Sequence, residues 1–233
     1  MLTFDHVTLQ QGAFHLSADL AITAGVTAVI GPSGGGKSTL LAAVAGFLDP
    51  VQGRVLWGDD DLTPHAPGAR PVSMLFQDNN LFPHLTVAQN VGLGIRPTLA
   101  LSPQDHTAAA GALSQVGLDG FAARKPAALS GGQQSRVALA RVLVADRPIV
   151  LLDEPFAALG PALKDEMLGL VRGILAQSGK TIVMVTHDPQ DARSVADHVI
   201  LVADGRAQPP RETGAIFADP PAALRDYLGG GRS

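Results

Sequence analysis

The chain has 233 residues, 46% of them hydrophobic and 16% charged, which excludes a disordered polymer and allows one α/β domain with a substantial core. The net charge is −4, from 17 basic and 21 acidic residues, and this argues against nonspecific nucleic-acid binding, which draws its affinity from phosphate neutralisation. The absence of cysteine excludes disulfides and thiolate metal sites and fits a cytosolic chain.

The amino terminus, MLTFDHVTLQQG, lacks the basic and apolar regions of a signal peptide. No apolar run is long enough for a bilayer-spanning helix, so any work on a membrane requires another chain to cross it. Residues 26–30 form a short apolar run that reads as a buried strand ending at Gly31. Leu40, Leu41, Val44, Ala45 and Leu48 then recur at helical spacing, with Pro50 and Gly53 as stop signals. Residues 92–128 are rich in Ala, Gly and Pro and hold no convincing strand; helices are expected near 104–117 and 133–145. IVLL at 149–152 reads as a strand buried on both faces. Leu163, Met167, Leu170, Val171, Ile174 and Leu175 form a helical stripe, with Pro161 near its start and Gly179 past its end. TIVMVTH and HVILVADG are further strands, separated by a helical stretch over 189–197. PPRETG and ADPPAAL read as surface connections, and the final GGGRS as a mobile tail. The alternation predicts a mainly parallel sheet flanked by helices, with a helical lobe inserted.

The chemistry begins at GPSGGGKST, residues 31–39, between a strand and a helix. The spacing Gly31-x4-Gly36-Lys37-Ser38 is that of a phosphate-binding loop. Gly31, Pro32, Ser33, Gly34, Gly35 and Gly36 form a turn whose N–H groups point inward at phosphate oxygens, and the following helix presents its positive end. Lys37 is expected to reach the β- and γ-phosphates and Ser38 to ligate Mg²⁺, with Thr39 continuing the cradle. The strand before Asp153 and Glu154 delivers both carboxylates to the sheet edge where ligands of open α/β sheets bind. Asp153 suits Mg²⁺ held through water, and Glu154 suits a general base that polarises the attacking water. In LSGGQ, Ser130 is a helix N-cap, and Gly131, Gly132 and Gln133 open a second anion-binding helix end. A second cradle makes sense if it serves the nucleotide of another subunit.

With these motifs in place, the chain resembles the ATP-binding-cassette ATPases over essentially its whole length. The phosphate loop, LFQDN, LSGGQ, VLLDEP and MVTHD occur in the family's order. The resemblance implies a phosphate-loop NTPase (RecA-like) core with a small amino-terminal antiparallel β part and an inserted α-helical subdomain. One ABC ATPase domain over 1–233 is expected, with 1–76 and 148–233 as the core and 77–147 as the lobe. It further implies a head-to-tail homodimer with two ATPs between subunits, Gln77 sensing Mg²⁺ and the attacking water, and His187 contacting the γ-phosphate. About 90 residues separate the phosphate loop from LSGGQ, which leaves no room for a long coiled coil. The segment 70–95 and VADGR look closest to the ATPase subunits of bacterial thiamine importers. Partners implied are transmembrane permease subunits and, indirectly, a periplasmic solute-binding protein, with the chain peripheral to the cytoplasmic face of the inner membrane. Leu81, Phe82, Leu85 and Val87 are candidates for an apolar patch that receives a permease helix.

The chain departs from the family pattern in three places. The loop after Glu154 reads AALG, with Gly160 where an aspartate usually braces the dimer. Gln134 and Ser135 stand where the signature usually continues with a basic residue. The aromatic expected to stack on adenine is not in its usual place, and Phe14 is the nearest candidate. An importer ATPase for iron, a polyamine or an anion remains an alternative, as does a non-transport cassette. A small-molecule kinase would leave LSGGQ and His187 unexplained.

Overall fold

The computed structural model describes residues 1–175 and 178–229; past Gly229, the expected tail lies outside them. The parallel part of the sheet holds β3 (Gly25–Ile30), β6 (Val72–Leu75), β7 (Ile149–Asp153), β8 (Thr181–Val185) and β9 (His198–Ala203) in the order β9-β3-β8-β7-β6. An antiparallel part, β1 (Leu2–Gln11), β2 (Phe14–Ile22), β4 (Gln52–Trp57) and β5 (Asp60–Asp61), continues the sheet through the short β10 (Arg206–Ala207). β11 (Arg211–Glu212) pairs antiparallel with β9.

Strand side chains alternate between two cores, because successive residues of a strand point to opposite faces. Ala28, Ile30, Val150, Leu152, Ile182 and Met184 face one cluster, shared with the lobe helices. Val29, Ile149, Leu151, Val183 and Val185 face the other, closed by α1 (Lys37–Ala45) and the antiparallel part. Burial on both faces explains why these strands read as unbroken apolar runs.

The lobe packs α2 (Val87–Gly92), α3 (Pro103–Gln115) and α4 (Gly131–Ala145) against one another. Each begins with a reciprocal cap: Thr86 with Gln89, Ser102 with Asp105, and Ser130 with Gln133. In the carboxyl half, α5 (Pro161–Leu170) runs on into a wider turn at Val171–Leu175, with Met167 and Val171 buried. α6 (Pro189–Val195) leads into β9.

Two expectations need correction. α1 stops at Ala45, well before Pro50, because Gly46 takes φ 83 and its N–H bonds back to Ala42 O. The expected surface connections near the carboxyl end contain two helices, α7 (Thr213–Ala218) and α8 (Ala222–Gly229), anchored by buried Ile216, Phe217 and Leu224. Packing of those few side chains outweighs the prolines around them, which sit between the helices at Pro220 and Pro221.

Candidate functional site

β3 ends at Gly31, and the loop there is shaped by close approach and by positive φ. A Cβ at Gly31 would lie 2.0 Å from Val202 O on β9, so the loop rests directly on that strand's backbone. Gly34 and Gly36 adopt φ 74 and 101, which L side chains rarely reach. A Cβ at Gly36 would also meet the Phe14 ring at 2.5 Å. Gly31, Pro32, Ser33, Gly34, Gly35, Gly36, Lys37, Ser38 and Thr39 thus form one continuous turn into α1. A cavity of about 330 Å³ opens on it, lined by Ser33, Lys37, Ser38, Thr39, Glu154 and Phe14.

Lys37 is buried, and its Nζ donates to Gly31 O and Pro32 O, both at 2.8 Å. Burial pushes its pKa below the ordinary value, while Glu154 and Asp153 pull it up. Ser38 Oγ donates to Asp153 Oδ1 at 2.9 Å. Burial raises the Asp153 pKa and adjacent Glu154 adds to the rise; the Ser38 bond and Lys37 oppose it. Glu154 follows at the strand end with φ 45, an uncommon conformation for a residue with a side chain. β8 ends next to β7, so His187 arrives beside Glu154, with Nδ1 3.1 Å from Oε2. The imidazole is 61% exposed and so open to a ligand on this edge. Lys37, Ser38, Asp153, Glu154 and His187 therefore converge.

Ser130, Gly131, Gly132 and Gln133 do not join them within one chain. Ser130 and Gln133 cap each other, at 3.0 and 3.3 Å, and a Cβ at Gly132 would strike Leu163 on α5 at 2.3 Å. Ser130, Gly132 and Gln133 line a different cavity, of about 300 Å³, with Arg136 and Phe121. Gln77 lies exposed on the loop after β6, at the far edge of the parallel strands, and is not among the residues lining the phosphate-loop cavity.

The apolar patch needs revision. Phe82 is 46% exposed and Leu81 and Leu85 are half-buried, but Val87 is fully buried in the core under α2. Phe82 and Leu81 instead join Met74 and Phe76 in a shallow groove floored by Arg141. Arg141 holds that loop by donating to Asn79 O and Asn80 O, at 2.7 and 2.9 Å. Gln134 and Ser135 both bond backbone carbonyls here: Gln134 that of Pro126, at 3.2 Å, and Ser135 that of Gly131, at 3.2 Å.

Several supporting residues escaped the sequence reading. Arg70 is buried and donates to Ala43 O, Val44 O, His65 O and Thr63 O, closing the carboxyl end of α1. Lys164 bridges Asp188 and Asp191, at 2.6 and 2.7 Å, behind His187. The spacing of Lys164 one turn into α5 is the only sequence signal for that pair, and Arg70 has none, because its acceptors are all main-chain.

Among the described residues, no group of three or more His, Cys, Asp or Glu side chains is placed to hold a metal, and no helix is long and apolar enough to cross a membrane. A family model described as "ABC transporter" matches residues 17–157. The chain is 62% identical to the thiamine import ATP-binding protein ThiQ of Cereibacter sphaeroides over 98% of its own length and 100% of that protein. It is 59% identical to the protein of the same name from Ruegeria sp., over 98% of this chain and 100% of that one. Among solved structures, the dimeric post-hydrolysis state of the ATP-binding cassette MJ0796, bound to ADP and Pi, superposes with a TM-score of 0.78 at 31% identity, covering 91% of this chain and 99% of that one. A phosphate loop facing two carboxylates and a histidine, with likeness of this extent, leaves one conclusion: the chain belongs to the ABC transporter family, as one of its ATP-hydrolysing cassettes.

Proposed function

We propose that the chain is the ATPase subunit of a thiamine importer. Two copies pack head to tail, and each ATP sits between one copy's phosphate loop and the other's Ser130–Gln133. The observation that carries the shared site is the separation of these two cradles into different cavities of one chain. A helix amino end that lies apart from its own chain's phosphate loop suits the anion of another subunit. The solute is assigned from the relatives, which carry the name thiamine import ATP-binding protein at 52–62% identity. The ATPase itself need not touch the vitamin.

Within each site, Lys37 leaves the carbonyls of Gly31 and Pro32 for the β- and γ-phosphates, which the loop's N–H groups and the α1 amino end also hold. Ser38 and Asp153 form a pair of hard oxygen donors whose chemistry fits Mg²⁺, and they would hold it. A Mg²⁺ ion held there would supply positive charge to the phosphates. Glu154 accepts the proton of the attacking water. His187, tied to Glu154, faces the γ-phosphate, and Gln77 approaches Mg²⁺ and the water when the lobe turns inward. Residues 1–76 and 148–233 act as the nucleotide-binding core and 77–147 as the moving lobe. The groove at Phe82 receives a helix of the permease, at the cytoplasmic face of the inner membrane. A periplasmic binding protein delivers the solute from the other side.

The test is transport. Vesicles carrying this chain with a thiamine-importer permease, supplied with ATP inside and labelled thiamine with its binding protein outside, are expected to accumulate thiamine. Uptake of iron, a polyamine or an anion in place of thiamine would overturn the assignment of solute.

A further inference from the structure

The hydroxyl of Tyr227, on α8, donates to the backbone carbonyl of His187, 40 residues earlier. That helix is anchored: Leu224 is fully buried, and Ala223, Tyr227 and Leu228 pack against the same core cluster. The rest of the turn is held from its flanks. Thr186 Oγ1 accepts from the Asp188 N–H at 3.0 Å and donates to Asp191 at 2.7 Å, while Lys164 grips Asp188 and Asp191. Among the described residues, Tyr227 supplies the only hydrogen bond to a main-chain atom of His187.

Fixing a carbonyl fixes the peptide plane that carries it, and so the direction in which Cα presents its side chain. This matters at His187 because the imidazole is exposed and its one side-chain tie is to Glu154. With so little packing around it, the ring is placed by two things, the direction of its Cα–Cβ bond and the tie to Glu154. Burial, together with Asp188, Glu154 and Asp191, raises the Tyr227 pKa, so the hydroxyl keeps the proton the bond requires.

We propose that Tyr227 is a positioning residue for ATP hydrolysis: by holding the His187 carbonyl it aims the imidazole at Glu154 and the nucleotide, which makes the carboxyl-terminal helix part of the catalytic apparatus. The proposal rests on the roles given above to His187 and Glu154. Anything that lifts α8 would then slow hydrolysis without touching nucleotide binding.

Tyr227→Phe keeps the ring and removes only the donor. In the full chain at saturating ATP and Mg²⁺, kcat is expected to fall roughly three- to tenfold, the worth of one hydrogen bond, with KM for ATP unchanged. In a His187→Ala background the same change is expected to have no further effect. The imidazole nitrogen resonances of His187 are expected to move in ¹⁵N-labelled Tyr227→Phe, while those of the other histidines stay. Unchanged kcat or unmoved His187 resonances overturn the proposal, as does a loss that adds fully to that of His187→Ala. His187→Ala with wild-type turnover would instead overturn the reading of the site itself, and the proposal with it.

Discussion

Replacing Gly160 with aspartate tests whether this cassette lacks a brace between its subunits. Gly160 is the N-cap of α5, with φ −65 and ψ 157, so any L residue fits its backbone. A Cβ there would meet nothing within 4 Å, and the helix has no side-chain cap. Gly160→Asp therefore adds a cap to α5 at no steric cost. Gain from the cap is a few tenths of a kcal/mol over glycine, and the charge at the helix end adds about 0.3–1 kcal/mol. Lower unfolded-state entropy adds about 0.4–1 kcal/mol more. The isolated subunit is thus expected to melt roughly 2–10 °C higher, given about 2–4 °C per kcal/mol for a chain of this size. If the new carboxylate also reaches the facing phosphate loop, a charge-assisted hydrogen bond of about 1.5–3 kcal/mol tightens the ATP-bound dimer roughly tenfold or more. Differential scanning calorimetry reads the first effect and sedimentation with ATP and Mg²⁺ reads the second, in a Glu154→Gln background that prevents turnover. Gly160→Asn, a cap without charge, separates them. A lower melting temperature for Gly160→Asp would refute the backbone argument, and a higher one with an unchanged dimer constant would refute the missing brace.

Lys37→Ala is expected to abolish turnover and greatly weaken ATP binding, because among the described residues no other basic side chain lines the loop cavity; equilibrium binding of a fluorescent ATP analogue checks this. Glu154→Gln is expected to retain ATP and to lose about 10²–10⁴-fold in kcat, accumulating as a dimer on a sizing column. Arg70→Met is expected to cost about 2–6 kcal/mol, since it strands the buried carbonyls of Ala43 and Val44 at the end of α1, and chemical denaturation measures it.

The parallel strands were legible because burial on both faces writes itself as short apolar runs between Gly, Pro and Asp. The cradle was legible because phosphate binding needs glycines, a lysine and a hydroxyl at fixed spacing. What stayed hidden depends on distance along the chain. Arg70 and Tyr227 act on main-chain carbonyls, and a carbonyl has no letter in a sequence. The helices α7 and α8 are 6 and 8 residues long, too short for a period to show, and are held by a few buried side chains. Val87 read as patch because an apolar residue looks the same whether it faces a partner or the core beneath α2.

The contact between Gly31 and Val202 O separates two kinds of glycine that a motif treats alike. Gly31 is excluded from change by the neighbouring strand, whether or not a nucleotide ever arrives. Gly34 has open space around its Cβ position and is confined only by its φ of 74. A lineage that abandoned hydrolysis would thus keep Gly31 for folding while drifting at Lys37, Glu154 and His187. Decay of such a gene would be visible at the charged positions long before the glycine pattern faded, so a surviving first glycine attests to ancestry and an intact lysine to present use.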